Sequence, residues 1–303
     1  MAAIFVLIQF TTGDMLNSQL CKKQPQFKTA LEKITAKSCH RQSWKDLANI
    51  KTLDLQNVGL KYISENDLVG LNNLNSLLLG SNNIHYIEEG AFFAIKNSLN
   101  FLDLSNNPNI HLVRTNFINL TELIEIKIAN SKLIELPAGI FFSQNKLKRL
   151  DLSNNFLSQI SSDLLEPLTK LEELNLSNNK LDIISENLFL GNDSLTRLHL
   201  DRNNIVVLPE KLFSNNRRLT HIYLNDNIIN SVSEKLFSNN LLLQQLDLKN
   251  NQIVDLEASD LSHHLQLDHV DFKGNPLRQA PQWQTLSNVK IEYDNIKDSA
   301  VKN

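Results

Sequence analysis

Aliphatic residues recur along most of the chain in one register, Leu-x-x-Leu-x-Leu-x-x-Asn-x-Leu. The register opens at Ile50, Leu74, Leu99, Leu123, Leu147, Leu171, Leu195, Leu219, Leu243 and Leu267, with spacings of 24, 25 and then 24 at every further step. Leu147-Lys-Arg-Leu150-Asp-Leu152-Ser-Asn-Asn155-Phe-Leu157 is a clean copy, and the segment from Leu171 to Leu181 is another. Within a unit, positions four and six (Leu150 and Leu152, for example) are apolar between polar neighbours. A period of two predicts a short strand with one buried face. One such strand cannot hide that face alone. Stacking one strand per repeat into a parallel sheet buries a continuous core.

Two further columns have a structural reading. Position nine is Asn in eight of the ten units: Asn82, Asn107, Asn155, Asn179, Asn203, Asn227, Asn251 and Asn275, with Val58 and Ser131 as exceptions. A primary amide both donates and accepts, so a stacked column of Asn can satisfy backbone groups at the turn after each strand. Position nineteen is Leu68, Phe92, Phe117, Phe141, Leu165, Phe189, Phe213, Phe237 and Leu261, so six of the chain's 14 Phe fall in one column. Flat rings there predict a spine that fills the convex side of the core.

This pattern closely resembles the leucine-rich repeat family over about 240 of the 303 residues, and a 24-residue period with a Phe spine resembles its "typical" subfamily. In texture the chain is similar to Toll-like ectodomains and secreted arthropod repeat proteins. The resemblance implies an α/β solenoid: a leucine-rich repeat horseshoe with a parallel β-sheet on the concave face, ten repeats and terminal caps. The implied partition is a signal peptide at 1–13, an N-terminal cap at 14–49, the repeats at 50–288, and a cap strand with a disordered tail at 289–303. Cys21, Cys39 and Trp44 look like a reduced version of the family's cysteine-bearing N-terminal cap. Gly274-Asn275-Pro276-Leu277 followed by Trp283 resembles the entry to its C-terminal cap, without that cap's cysteines. Val289-Lys290-Ile291-Glu292-Tyr293 is expected to supply a last strand.

Composition sharpens this reading. Leu supplies 54 residues and Asn 40, against only 8 Gly, a skew that fits a repeat rather than an enzyme rich in βα turns. A net charge of −3 excludes a strongly basic nucleic-acid binder and a polyacidic tail. Two cysteines are too few for a zinc site and suit one disulfide, Cys21–Cys39, if the protein is secreted. Met1 to Phe10 is almost purely apolar and precedes Thr11-Thr12-Gly13, the outline of a short signal peptide, although its start lacks Lys or Arg. No later stretch is long and apolar enough to span a bilayer. The expected location is extracellular.

Candidate contacts follow from the concave positions three, five, seven and eight. Arg197, His199, Asp201, Arg202, His221, Tyr223 and Asp226 cluster on repeats seven and eight, and Arg and Tyr are enriched in binding hot spots. Leu78 and Phe101 place apolar side chains on the same face at repeats two and three, a second candidate contact or a packing against the cap. A metal site at His199 and His221 would need a third ligand, for which Asp201 is available, and a fixed geometry, but such neighbours arise easily by chance; a modest pH dependence of binding fits them better. Three glycosylation sequons start at Asn119, Asn175 and Asn192, the first and last on loops and the second on the concave strand. No nucleophile elbow, phosphate loop or His-Glu-x-x-His motif is present, so neither catalysis nor a cofactor is expected. The leading reading is a secreted protein-binding module, as the resemblance implies for innate immunity or a soluble decoy. The alternatives are an extracellular matrix or adhesion scaffold and, further off, an intracellular scaffold. The expected partner is an extracellular protein ligand or receptor, with no nucleic acid and no membrane span, and a homodimer is compatible with the same surface.

Overall fold

The computed structural model describes residues 21–233, 235–255, 264–280 and 289–294. The expected signal peptide at 1–13, Leu261, Trp283 and the expected tail after 294 lie outside the described residues. Each repeat contributes one three-residue strand to a single parallel sheet. The strands are β1 (Thr52–Asp54), β3 (Ser76–Leu78), β5 (Phe101–Asp103), β6 (Glu125–Lys127), β7 (Arg149–Asp151), β8 (Glu173–Asn175), β9 (Arg197–His199), β10 (His221–Tyr223), β11 (Gln245–Asp247) and β12 (His269–Asp271). An eleventh strand, β13 (Lys290–Glu292), completes the order β1-β3-β5-β6-β7-β8-β9-β10-β11-β12-β13. Pairing joins like positions of neighbouring repeats, such as Leu150 with Leu174 and Asp151 with Asn175. A short side ladder joins β2 (Tyr62–Ile63) to β4 (Tyr86–Ile87), with Tyr62 and Tyr86 stacked at 5.3 Å. The parallel solenoid predicted from the repeat is the fold.

Burial follows the columns. Position four is buried from Leu53 to Val270, and position six from Leu55 to Phe272. The ring pairs Phe117–Phe141, Phe189–Phe213 and Phe213–Phe237 stack at 6.0, 6.1 and 5.8 Å on the far side of the core. Parallel strands sit only about 4.8 Å apart. Rings on one side and strands on the other therefore advance by different steps per repeat, which bends the stack and puts the sheet on its concave side. Leu165 interrupts the spine within the one-turn helix α3 (Ser162–Leu165).

The Asn column is a ladder between repeats. Asn155 donates through Nδ2 to Leu152 O in its own repeat and Ile128 O in the previous one, at 2.9 and 2.8 Å. Its Oδ1 accepts from Ser131 N and Leu133 N, also in the previous repeat. The two exceptions have physical reasons. Val58 opens the stack, so no earlier repeat offers it a carbonyl. Ser131 replaces the amide with a hydroxyl that accepts from Asn107 N and donates to Leu104 O at 3.4 Å.

Two regularities were not read from the sequence. Position eight lies in the left-handed region in all ten repeats, from Asn57 (φ 54°) to Gly274 (φ 74°). This explains the recurrent Asn-Asn pair, because Asn tolerates that conformation better than most residues. Positions seven and eight thus form a turn after the strand instead of continuing the concave face. Position twenty-two carries a second buried polar column. Gln144, Asn192, Asn216 and Asn240 donate to the carbonyl of the preceding repeat's spine residue (Phe117, Leu165, Phe189 and Phe213), and His264 Nε2 lies 3.0 Å from Phe237 O.

The ends are closed by different means. At the N-terminus, α1 (Pro25–Thr35) buries Phe27 and Leu31 against the first repeat, and the Cys21–Cys39 disulfide ties its start to the turn before α2 (Trp44–Ala48). Lys23 is buried and donates to Asn66 O, Asp67 O and Val69 O; burial lowers its pKa to about 8 against the opposing pull of Asp67. Gly70 has φ 92°, and a Cβ there would come within 2.5 Å of Leu47 and 2.7 Å of Trp44, so only glycine lets the cap seat on repeat one. At the other end, Phe272 N donates to Glu292 O and Gly274 N to the Asp294 carboxylate.

Asn155→Ala removes both halves of one rung and leaves buried backbone groups unpaired on two repeats. At about 1–3 kcal/mol per orphaned group, a markedly lower melting temperature is expected. Asn154→Gly, which removes only part-exposed side-chain bonds to Ser153 and Asn178 and keeps the left-handed turn unstrained, serves as the mild comparison. Equal losses for the two variants would refute the ladder as the dominant link.

Candidate functional site

Position five of the strand explains where functional side chains can sit. Asp54, Asp103, Asp151, Asn175, Asp247 and Asp271 each accept, through Oδ1, from the backbone N–H two residues on, at 2.8–3.0 Å. These carboxylates and the one amide brace the turn, as Asx residues do. They are therefore weaker ligand candidates than their exposure suggests. Four repeats abandon the brace and carry Leu78, Lys127, His199 and Tyr223 instead.

His199 and Tyr223 stand side by side on β9 and β10, with ring centroids 4.4 Å apart and planes 15° from parallel. Tyr223 also lies 6.3 Å from His221, so three rings form a continuous row. Tyr223 Oη donates to Gln245 Oε1 at 3.4 Å, and His221 Nδ1 lies 2.8 Å from Thr220 Oγ1. Gln245 and Thr220 were not singled out in the sequence; in register Gln245 pairs with His221, and the Tyr223 phenol reaches it diagonally across the strands. His199 lies within 4.0 Å of Glu173 and 3.9 Å of Asp201, contacts too long for strong pairing. Burial lowers the His199 pKa and outweighs the pull of Asp201, Glu173 and Asp151. His221 is lowered by burial, then by Arg197 and His199. Burial raises Tyr223, Asp201 and Asp247.

Two arginines complete the patch in different ways. Arg149 on β7 holds Glu125 at 2.7 Å. Arg197 occupies the same position two repeats later, yet among the described residues its guanidinium has neither an ion pair nor a side-chain hydrogen bond. Arg202 sits at position eight with φ 55°, where most repeats carry Asn, and lies 3.9 Å from Asp226. Left-handed backbone under a long side chain costs on the order of 1–2 kcal/mol. Arg197, His199, His221 and Tyr223 are thus brought together on β9 and β10, while Arg202 lies in the turn after β9 beside Asp226. Leu78 and Phe101 share the face but are half-buried on adjacent strands at different positions, where Lys127 Nζ lies 5.5 Å from the Phe101 ring. They form a minor feature separate from the ring row.

The sequons divide. Asn119 is exposed in a loop. Asn175 is half-buried and braces its turn, also accepting from the Ser177 hydroxyl at 2.7 Å. Asn192 corrects the expectation of a loop glycan. It is fully buried, and its Nδ2, the atom a glycan would modify, donates to Leu165 O and Leu168 O. Its sequon is a by-product of the position-twenty-two column.

Among the described residues, two groups bring metal-ligating atoms together. In one, Cys21 and Cys39 are spent in the disulfide beside His40. In the other, His269, Asp271 and Glu292 converge, but Lys273 and Lys290 both contact the Glu292 carboxylate, whose pKa they lower to about 2. Those ammonium groups already supply the positive charge a cation would bring. His199, His221 and Asp201 are not among these groups. No helix among the described residues is long and apolar enough to cross a membrane.

Against known sequences, residues 121–181, 145–205 and 193–253 match the leucine rich repeat family. Residues 26–111 match the BspA type leucine rich repeat region. The chain belongs to the leucine-rich repeat family. No curated protein matches it. Among solved structures, internalin C2 from Listeria monocytogenes is similar, with a TM-score of 0.55 and 25% identity over 82% of this chain and 92% of that one. The functional domain of InlJ from Listeria monocytogenes has a TM-score of 0.67 at 23% identity; the match covers 88% of this chain and 54% of the InlJ chain, a likeness of fold.

Two outcomes follow. Arg202→Asn relieves the left-handed strain and is expected to raise stability by about 1 kcal/mol, read as a higher urea midpoint; an unchanged or lower midpoint refutes strain there. His199 and His221 bind protons less readily folded than unfolded. Below about pH 6.5 the unfolded chain therefore takes up more protons and their contribution to stability is lost as pH falls. The double variant His199→Gln/His221→Gln should lose less melting temperature than the parent between about pH 7.5 and 5.5.

Proposed function

We propose that this leucine-rich repeat scaffold is a secreted, non-enzymatic recognition module that binds an extracellular protein through its concave face. The observation that carries the reading is the His199–Tyr223–His221 row beside the unpaired Arg197. It lies where two consecutive repeats give up the structural brace at position five, and where Arg202 occupies a strained position eight. Side chains that do no work for the fold, at a cost to it, are the ones to assign to a partner. Arg and Tyr supply the anchors of such contacts. The cap disulfide supports an oxidising compartment, and the exposed Asn119 is the sequon best placed for a glycan. A soluble decoy or innate-immune recognition protein is the setting that the family resemblance favours. A matrix or adhesion scaffold is the second reading; it makes no particular use of the ring row.

Expression with the native N-terminus and intact mass of the product in the medium test the compartment. An oxidised, glycosylated species lost in Asn119→Gln is expected; a retained product with two free thiols overturns secretion. Secreted protein is then screened against a panel of extracellular ectodomains. Arg197→Ala/Tyr223→Ala should weaken any specific binder by at least about tenfold, while unchanged affinity removes the ring row from the binding surface.

A further inference from the structure

The convex side carries a surface the concave-face reading does not use. Position twenty follows the buried spine and faces solvent. Repeats seven and eight place Ser214 and Ser238 there, so the fold itself asks for no apolar group. Repeats two, three and four instead place Phe93, Ile118 and Phe142, exposed by 64%, 53% and 70%. The adjacent spine rings Phe117 and Phe141 are 6.0 Å apart, so these three side chains form a continuous stripe across neighbouring repeats. With whole side chains of this size burying about 150–250 Å², the exposed parts of these three leave roughly 100–150 Å² each, about half of the ~800 Å² per partner of a standard interface.

The charges around Phe142 indicate what covers the stripe. Phe142 borders a groove of about 500 Å³ lined by Ala138, Gly139 and Pro167. Arg114 lies on one side of it, its guanidinium against Gly139 where a Cβ would come within 3.2 Å of Nε. Asp163 and Glu166 lie on the other side. All three are exposed, and among the described residues none has a side-chain ion pair or hydrogen bond. One unpaired cation and two unpaired anions flanking one exposed ring make a self-complementary patch. A two-fold axis brings each Arg114 to the other copy's Asp163 and Glu166 and each Phe142 towards the other groove, as an isologous contact requires. We propose that two copies of this chain pair back to back through Phe93, Ile118 and Phe142, with Arg114 of each facing Asp163 and Glu166 of the other. The pair leaves both concave faces open, so it presents two binding surfaces to a multivalent partner.

Asn119 adjoins Ile118, and a glycan there would stand at the rim of the stripe, so the test uses the full chain carrying Asn119→Gln. Sedimentation velocity from about 1 to 100 μM should show a monomer converting to a dimer. Phe142→Ser/Ile118→Ser, which copies the serines of repeats seven and eight, should stay monomeric with an unchanged circular dichroism spectrum. Arg114→Glu alone and Asp163→Arg/Glu166→Arg alone should each be monomeric. Their equimolar mixture should form a heterodimer, because both cross-copy charge pairs are then restored. A parent that stays monomeric throughout, a dimer indifferent to the serine substitutions, or charge variants whose mixture does not reassociate would each overturn the proposal.

Discussion

The buried amide of position nine is the interaction on which the rest of the structure depends. A three-residue strand cannot satisfy the turn that follows it, and the turn lies inside the stack, away from water. Each Asn solves this for two repeats at once by donating to carbonyls of its own turn and the previous one and accepting N–H groups from the previous one. Burying such groups unpaired is what a parallel stack of this kind cannot tolerate. The ladder therefore couples each repeat to its neighbour, and stability spreads along the chain as a sum of nearest-neighbour contacts. It also fixes what the ends must do. Repeat one has no predecessor and can carry Val58. In the last repeat Gly274 N, whose counterparts donate to the position-seven carbonyl of the following repeat, donates instead to the Asp294 carboxylate.

The same requirement sorts structural polar residues from available ones. An Asp on the concave strand resembles a binding residue in any inventory of exposed charges, yet six Asx side chains at position five are engaged by their own backbone. Availability lies where the pattern lapses. At repeats seven and eight the lapse delivers an imidazole and a phenol in contact, an unpaired guanidinium and a strained arginine. Burial lowers the pKa of both imidazoles, and at His199 it outweighs the pull of Asp201 and Glu173, whose carboxylates stand near 4 Å away.

The two sides of the solenoid then carry different chemistry for a geometric reason. Spine rings near 6 Å apart hold the convex side open, while strand pairing holds the concave side closer. The concave side is a dense sheet on which neighbouring side chains stack into rows. The convex side is built of turns whose solvent-facing position is free to vary, and there serine in two repeats and phenylalanine in two others meet the needs of the fold equally well.

The solenoid, its core columns, the Asn ladder and the Phe spine were legible because a strict period repeats the same environment ten times, and periodicity reports environment directly. That Arg197, His199, His221 and Tyr223 are neighbours was legible for the same reason: once the register is known, adjacent repeats are adjacent in space. What the sequence could not show is how a single side chain spends its polar atoms. Asn192 reads as a glycan acceptor, but its amide is turned inward onto Leu165 and Leu168. Asp103 and Asp151 read as surface charge, but each closes a turn. Arg202 reads as one more basic residue until its positive φ is seen. These differences rest on backbone direction at single positions, which local sequence leaves open and the packing of one repeat upon the next decides.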